Sequence, residues 1–168
     1  MANTLHGPGA HWFARPAPDA EDHDHLGDAD DAVAYLRDHG IEVPKGAPTR
    51  ADLANLAAIR DMVRRLAGGG SAWTAAARAL MARATFRLDA DGVLAAEGDG
   101  WRRFVGDLLP PLVELARLNG RVSTCANPAC RLVFLDASKS GTRRWCDDGG
   151  CGNRIRLRRH RERLPRTS

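Results

Sequence analysis

Four cysteines are the residues of this chain best suited to chemistry. They stand as Cys125-x4-Cys130 and Cys146-x4-Cys151, with fifteen residues between the pairs. Two pairs of equal internal spacing are how a tetrahedral four-thiolate site is assembled: each pair sits on a tight turn that aims two sulfurs at one point, and the stretch between returns the chain. Asn127-Pro128 in the first loop and Gly149-Gly150 in the second are residue types that allow such turns. Zn2+ suits Cys125, Cys130, Cys146 and Cys151, because it is redox-silent and four soft thiolates complete its shell. A closed site of this kind has no position for water, so the ion would be structural. Disulfides and a redox thiol are the competing readings. The absence of a secretory signal argues against the first, and the symmetric pairing argues against the second.

Directly behind the last cysteine the chain turns strongly basic, with seven arginines between Arg154 and Arg166. The segment GNRIRLRRHRERL holds good helix formers until Pro165 stops it. On a wheel of about 100° per residue, Leu157, His160 and Leu164 share one stripe, expected to dock the helix. Arg154, Arg158 and Arg161 line one flank of that stripe, and Arg156, Arg159 and Arg163 the other. Arginine makes bidentate contacts with phosphates and guanine edges. With Arg143 and Arg144, these six are the candidate nucleic-acid contacts. Asp147 and Asp148 precede the helix and are expected to cap it.

The whole chain is divided by charge. Residues 1–116 carry 12 Lys+Arg against 17 Asp+Glu, whereas residues 117–168 carry 13 against 4. A polyanion would be drawn to one end only. A solvated basic tail without a partner is the plain alternative.

The elements that must position these groups follow from periodicity. Residues 1–31 read as irregular, and His23-Asp24-His25 within them reads as a solvated loop rather than a metal site. A short helix is expected over Ala32–His39, with Val33 and Leu36 inward and Gly40 as its stop. Thr49 with Asp52 resembles a capping box. Leu53, Leu56, Ile59, Val63 and Leu66 then mark the buried face of a long helix ended by Gly68-Gly69-Gly70. Ser71 is expected to cap a second, alanine-rich helix. Asp91-Gly92 signals a β-hairpin near 85–97. WRRFVGDLLPPLVELARLNG returns to a helical period, with a break expected near Leu109 because of Pro110. Between the cysteine pairs, RLVFLDASKSGTRRW reads as a hairpin turning at Ser138–Gly141, with Val133 and Leu135 on one face and Leu132 and Phe134 on the other. Metal binding and folding of so small a module should be one event.

The fold class is therefore α+β: a mostly α-helical domain with a β-hairpin over residues 1–120, then a treble-clef or ribbon-like four-cysteine module over 121–164 ending in a basic helix, with 165–168 as tail. No apolar run approaches the roughly 18 residues that span a bilayer. The first residues, MANTLHGPGAHW, do not form a secretory signal, so the expected location is cytoplasmic. Paired carboxylates, a nucleophile–base arrangement and an open metal position are all missing, so the protein is expected not to be an enzyme.

The motifs C-A-N-P-A-C, F-L-D-A-S-K-S-G-T-R-R-W-C and C-G-N-R followed by a basic helix resemble the CGNR zinc finger. In bacterial proteins that finger follows a domain called ABATE, described as a stress-induced transcription regulator. The likeness covers Arg121 to Arg163 through the cysteines, Phe134, Asp136, Ser138, Arg143, Arg144, Trp145 and Gly152-Asn153-Arg154. Upstream, Asn3-Thr4-Leu5, the hairpin and the helix leading into the finger resemble ABATE more weakly. Ser140, where the family often has asparagine, and Asp147-Asp148-Gly149-Gly150, where it has a more apolar loop, depart from the pattern. The resemblance implies a zinc-containing, stress-responsive DNA-binding regulator, a homodimer on paired half-sites being one expected form, with a small-molecule effector unidentified. An RNA- or ribosome-associated module and a protein-interaction adaptor are the other classes the same residues would serve.

Overall fold

The computed structural model describes residues 24–163 apart from 119, 129 and 131. Asn3-Thr4-Leu5, His23, Asn119, Leu164 and the tail 165–168 lie outside the described residues.

Local signals set most of the helices. Helix α1 runs Ala29–Asp38, and the Asp28 carboxylate caps it by accepting from the N–H groups of Asp30 and Asp31. Leu36 is buried and Val33 packs at the edge of the core. Gly40 turns the chain out with φ of 71°, and Ile41 N–H bonds back to the Leu36 carbonyl at 3.0 Å. Helix α2 spans Arg50–Ala67 and opens on the capping box, both halves of which form between Thr49 and Asp52. Its fully buried residues are Leu56, Ile59, Met62 and Val63, while Leu53 and Leu66 are half-buried. Met62 joins the face that the leucine spacing marks.

Helix α3, Ala75–Arg83, starts later than expected. Thr74, not Ser71, is the N-cap, its side chain accepting from Ala77 N–H. The Ser71 hydroxyl instead accepts from Trp73 N–H at 3.2 Å, a turn that keeps residues 71–73 out of the helix. Strands β1 (Phe86–Leu88) and β2 (Leu94–Ala96) form the expected hairpin, Leu88 opposite Leu94, with Gly92 at φ 76° in the turn. Helix α4 (Gly100–Asp107) and helix α5 (Leu109–Arg117) break apart at Leu108, where Pro110 in the first turn of α5 supplies no N–H. A methyl on Gly106 would collide with the Ala96 side chain, so glycine is what lets α4 lie directly on β2. Asp107 Oδ1 ties the same contact by accepting from Ala96 N–H at 2.7 Å.

One apolar core joins these elements. Leu36, Leu56, Ile59, Met62, Trp101, Val105, Leu109 and Leu112 are its centre. The Trp101 indole N–H reaches the Gly46 carbonyl at 2.9 Å, so its burial leaves no donor unmet. No helix among the described residues is long and apolar enough to cross a membrane.

Strands β3 (Val122–Thr124) and β4 (Val133–Leu135) pair antiparallel, Val122 opposite Leu135. This corrects the expected hairpin: β4 pairs backwards across the first cysteine loop, and residues 136–145 form no strand. Ser138–Gly141 still makes a turn, braced by the Arg121 guanidinium on the Ser138 carbonyl at 2.6 Å. The alternation within β4 holds. Val133 enters the main core and Phe134 packs among the cysteines. The hairpin rests on α2, so its inner face shares the core of the helices. A wide helical turn at Asp148–Gly152 leads into helix α6, Asn153–Arg163. The architecture is α+β, helices with two small hairpins and a terminal helix.

Candidate metal centre and basic helix

The four cysteine sulfurs lie within 4.8 Å of one another, on two separate supports. The first pair sits on the loop joining β3 to β4. Cys125 N–H donates to the Leu132 carbonyl at 2.7 Å, and Cys130 N–H to the Asn127 carbonyl at 2.9 Å, which closes the loop into a knuckle. The second pair brackets the wide turn before α6. There Asp147 accepts from Gly150 N–H at 2.7 Å and from Gly149 N–H at 3.3 Å. A side chain at Gly150 would press on the Asp147 carboxylate, and one at Gly152 would press on Asp148 and the Trp145 ring. Ala126 N–H bonds to the Arg144 carbonyl at 2.9 Å, stitching the two supports together. This is a treble-clef arrangement: a knuckle within a hairpin, then two ligands at the start of a helix.

The geometry fits a tetrahedral ion. Zinc–sulfur bonds of about 2.3 Å imply sulfur–sulfur edges of roughly 3.8 Å. Cys130 and Cys146 stand 3.7 Å apart, near that edge and far beyond a disulfide bond. All four cysteines are free thiols, three of them buried. Burial pushes the Cys130 thiol up to about 11, and burial together with the charge of Cys130 pushes Cys146 well above the ordinary range. Burial also acts against Cys125, but the N–H groups of Cys146 and Asn127 outweigh it and lower that thiol. Mutual repulsion of this kind is what a divalent cation relieves when several thiolates converge. The buried Asn127 amide donates to Cys151 Sγ at 3.4 Å, a sulfur contact that residue type and spacing alone did not single out.

Beneath the sulfurs the finger is braced by polar groups. Asp136 is 2% exposed and accepts from the N–H groups of Ser138 at 2.9 Å and Arg143 at 2.8 Å. The Ser138 hydroxyl and those N–H groups hold its carboxyl below the usual carboxylate range. Arg143 turns back on its own loop. Its Nε donates to the Trp145 carbonyl at 2.8 Å, another guanidinium N–H donates to the Cys146 carbonyl, and the group lies over the Phe134 ring at 5.3 Å. Arg156 likewise points back, pairing with the Asp148 carboxylate at 2.9 Å and donating to its carbonyl at 3.1 Å. That bond lowers Asp148 and raises Arg156. Two of the eight candidate arginines therefore strap the finger together.

The expected docking stripe does not form among the described residues. Leu157 is 47% exposed and His160 is exposed, whereas Ile155 is the buried residue of α6. The wheel failed because only the first turn touches the finger. Arg154 is exposed within that turn, and beyond it α6 projects with Arg158, Arg159, Arg161 and Arg163 exposed, Arg158 lying 3.6 Å from Glu162. Arg144 stacks its guanidinium on the Trp145 ring at 5.5 Å. Near the first described residues, Asp24 pairs with Arg60, and His25 bonds Asp31 at 3.0 Å while stacking on Tyr35. Their neighbourhood shows no cluster of three metal-binding side chains among the described residues.

Comparison with known proteins gives two matches. A family model described as "CGNR zinc finger" covers residues 121–164. A second, ABATE, described as "Putative stress-induced transcription regulator", covers residues 1–133. Neither describes an enzyme. A search of curated proteins found no match to the chain.

Proposed function

We propose that this chain, which belongs to the ABATE family and ends in a CGNR zinc finger, is a zinc-dependent, stress-responsive transcription regulator of the cytoplasm that binds duplex DNA through α6. A structural zinc ion held by Cys125, Cys130, Cys146 and Cys151 supplies the positive charge that lets all four thiolates coexist. Everything else is done by the chain. The Asp147 cap, the Asp148–Arg156 strap and buried Ile155 fix where α6 begins. Its remaining turns then extend outward as a rod rather than a loose tail.

The observation that carries this reading is the make-up of that rod. Six of the eleven residues of α6 are arginine, and one residue of the helix, Ile155, is buried. Arg159 and Arg163 stand four residues apart, so that pair repels along its own face. An isolated helix this short is marginal in water. Laying it along a row of phosphates removes the repulsion and offers bidentate partners. Arg144, Arg154, Arg158, Arg159, Arg161 and Arg163 are the contacts we assign. Most would touch phosphate and a few could reach base edges. Arg143 and Arg156 act through the fold instead.

Fluorescence anisotropy with the zinc-loaded protein and duplex DNA tests the proposal. With about five phosphates neutralised, log K should fall with log salt at a slope of about −4.5. Changing Arg158 and Arg161 to alanine should flatten the slope by roughly two. Affinity that ignores salt would discard the reading. Structured RNA competing better than duplex DNA would move the assignment to an RNA-associated module.

A further inference from the structure

The helical half contains a cleft that neither the finger nor the family description uses. It has a volume of about 410 Å³ and lies where α2, α3, the base of the first hairpin and the α4–α5 junction meet. That is the size range of small-molecule sites. Val105 and Leu109, both buried, supply an apolar floor. The rim is charged: Arg83 on the last turn of α3, Arg102 on the first turn of α4, and Asp52 and Glu97. Half-buried Asn55 adds an amide.

The rim charges are equal in number but do not pair with one another. Asp52 is turned to its own helix, where Oδ2 accepts from the Thr49 N–H at 2.8 Å and from the Thr49 hydroxyl at 2.6 Å. Neither Arg83 nor Arg102 has a carboxylate partner among the described residues, although two carboxylates border the same cleft. Two exposed guanidiniums without a carboxylate partner and a half-buried amide thus border an apolar floor, together with Asp52, whose carboxylate is engaged by Thr49, and Glu97.

From this we infer that the cleft binds a small amphipathic organic anion, its carboxylate or phosphate on Arg83, Arg102 and Asn55 and its apolar body over Val105 and Leu109. The inference goes beyond the regulator reading, and its test involves no nucleic acid, so either can fail alone.

Isothermal titration of the whole zinc-loaded chain with octanoate, octyl phosphate and octylammonium provides the test. One or both anions should bind saturably and octylammonium should not, and the tighter anion identifies the headgroup. Arg83→Gln with Arg102→Gln should weaken the anion by about tenfold or more, as loss of charge-assisted bonds does. Glu97→Gln should tighten it severalfold, a gain that general damage to the fold would not give. Thermal melts without ligand should leave both variants close to the parent. Octylammonium binding as well as the anions, no saturable anion binding, or a folded double variant that binds unchanged would each overturn the assignment.

Discussion

The two halves of this molecule solve the same problem with opposite means. The helical half is held by apolar burial: Leu36, Leu56, Ile59, Met62 and Leu109 are fully enclosed, and polar groups serve at helix ends. Among the described residues of the finger, Phe134 and Ile155 are the apolar side chains buried apart from the cysteines and from Val122 and Val133, which join the core of the helices. Its interior holds the sulfurs, the Asp136 carboxylate and the Asn127 amide, and the exposed Arg143 guanidinium closes over it on the Trp145 carbonyl. Where a segment is too short to enclose a core, directional bonds and a metal take over. Such bonds are few and all are needed, so the finger should fail abruptly where the helices yield by degrees.

The largest effect that would break this contrast comes from disabling the four-cysteine site proposed to hold zinc. Chelation, or Cys151→Ser, should unfold the second cysteine turn and α6, since structural zinc contributes on the order of 10 kcal/mol to modules of this kind. The helices α1 to α5 should remain. Hydrogen exchange would show protection lost over 136–163 and kept over 50–67; protection unchanged in both would refute the division. Next, Leu109→Ala or Leu56→Ala should cost about 2–5 kcal/mol in denaturant titrations. Bound zinc per chain should stay the same, and loss of zinc would show the halves to be less separate than described.

A smaller effect concerns acid. Asp136 has its carboxyl held below the ordinary value, so its contribution is full above about pH 4 and disappears as pH falls through the lowered value. Asp136→Asn should remove that acid-sensitive step and speed amide exchange at Ser138 and Arg143. Equal exchange in both proteins at pH 6 would count against the bracing role. The smallest effect is Thr49→Ala, expected to lower stability by about 1 kcal/mol through the lost cap of α2, with no change in the finger's exchange.

How much was legible in the sequence differs between the halves for the same physical reason. Most caps, the glycine stops, the Asp91-Gly92 turn and the break before Pro110 act over a few residues, and the structure has them, the exception being the cap of α3, which is Thr74 and not Ser71. The cysteine spacing is also local in kind, and the four sulfurs do converge. What pairs with β4 was misread, because Val122 lies beyond the knuckle and strands of three residues carry too little alternation to reveal a partner. The Leu157–His160 stripe failed because a wheel assumes that one face is covered along its length. Arg143 and Arg156 look like their neighbours in sequence, because closing on the chain depends on carbonyls and a carboxylate brought near only by the folded loop. Asp136-Ala137-Ser138 did carry a usable signal, since an aspartate two residues before a serine favours a side-chain-closed turn.

Adjacent residues of β4 belong to different interiors, Val133 to that of the helices and Phe134 to that of the cysteines. The strand is a party wall, and it governs where the protein can be cut. A fragment stopped at Gly120 would strip one flank of α2 and be prone to clumping, whereas one carried through Leu135 keeps that flank covered. Anyone wishing to graft this finger onto another scaffold must bring along a surface for Val122 and Val133 to lean on.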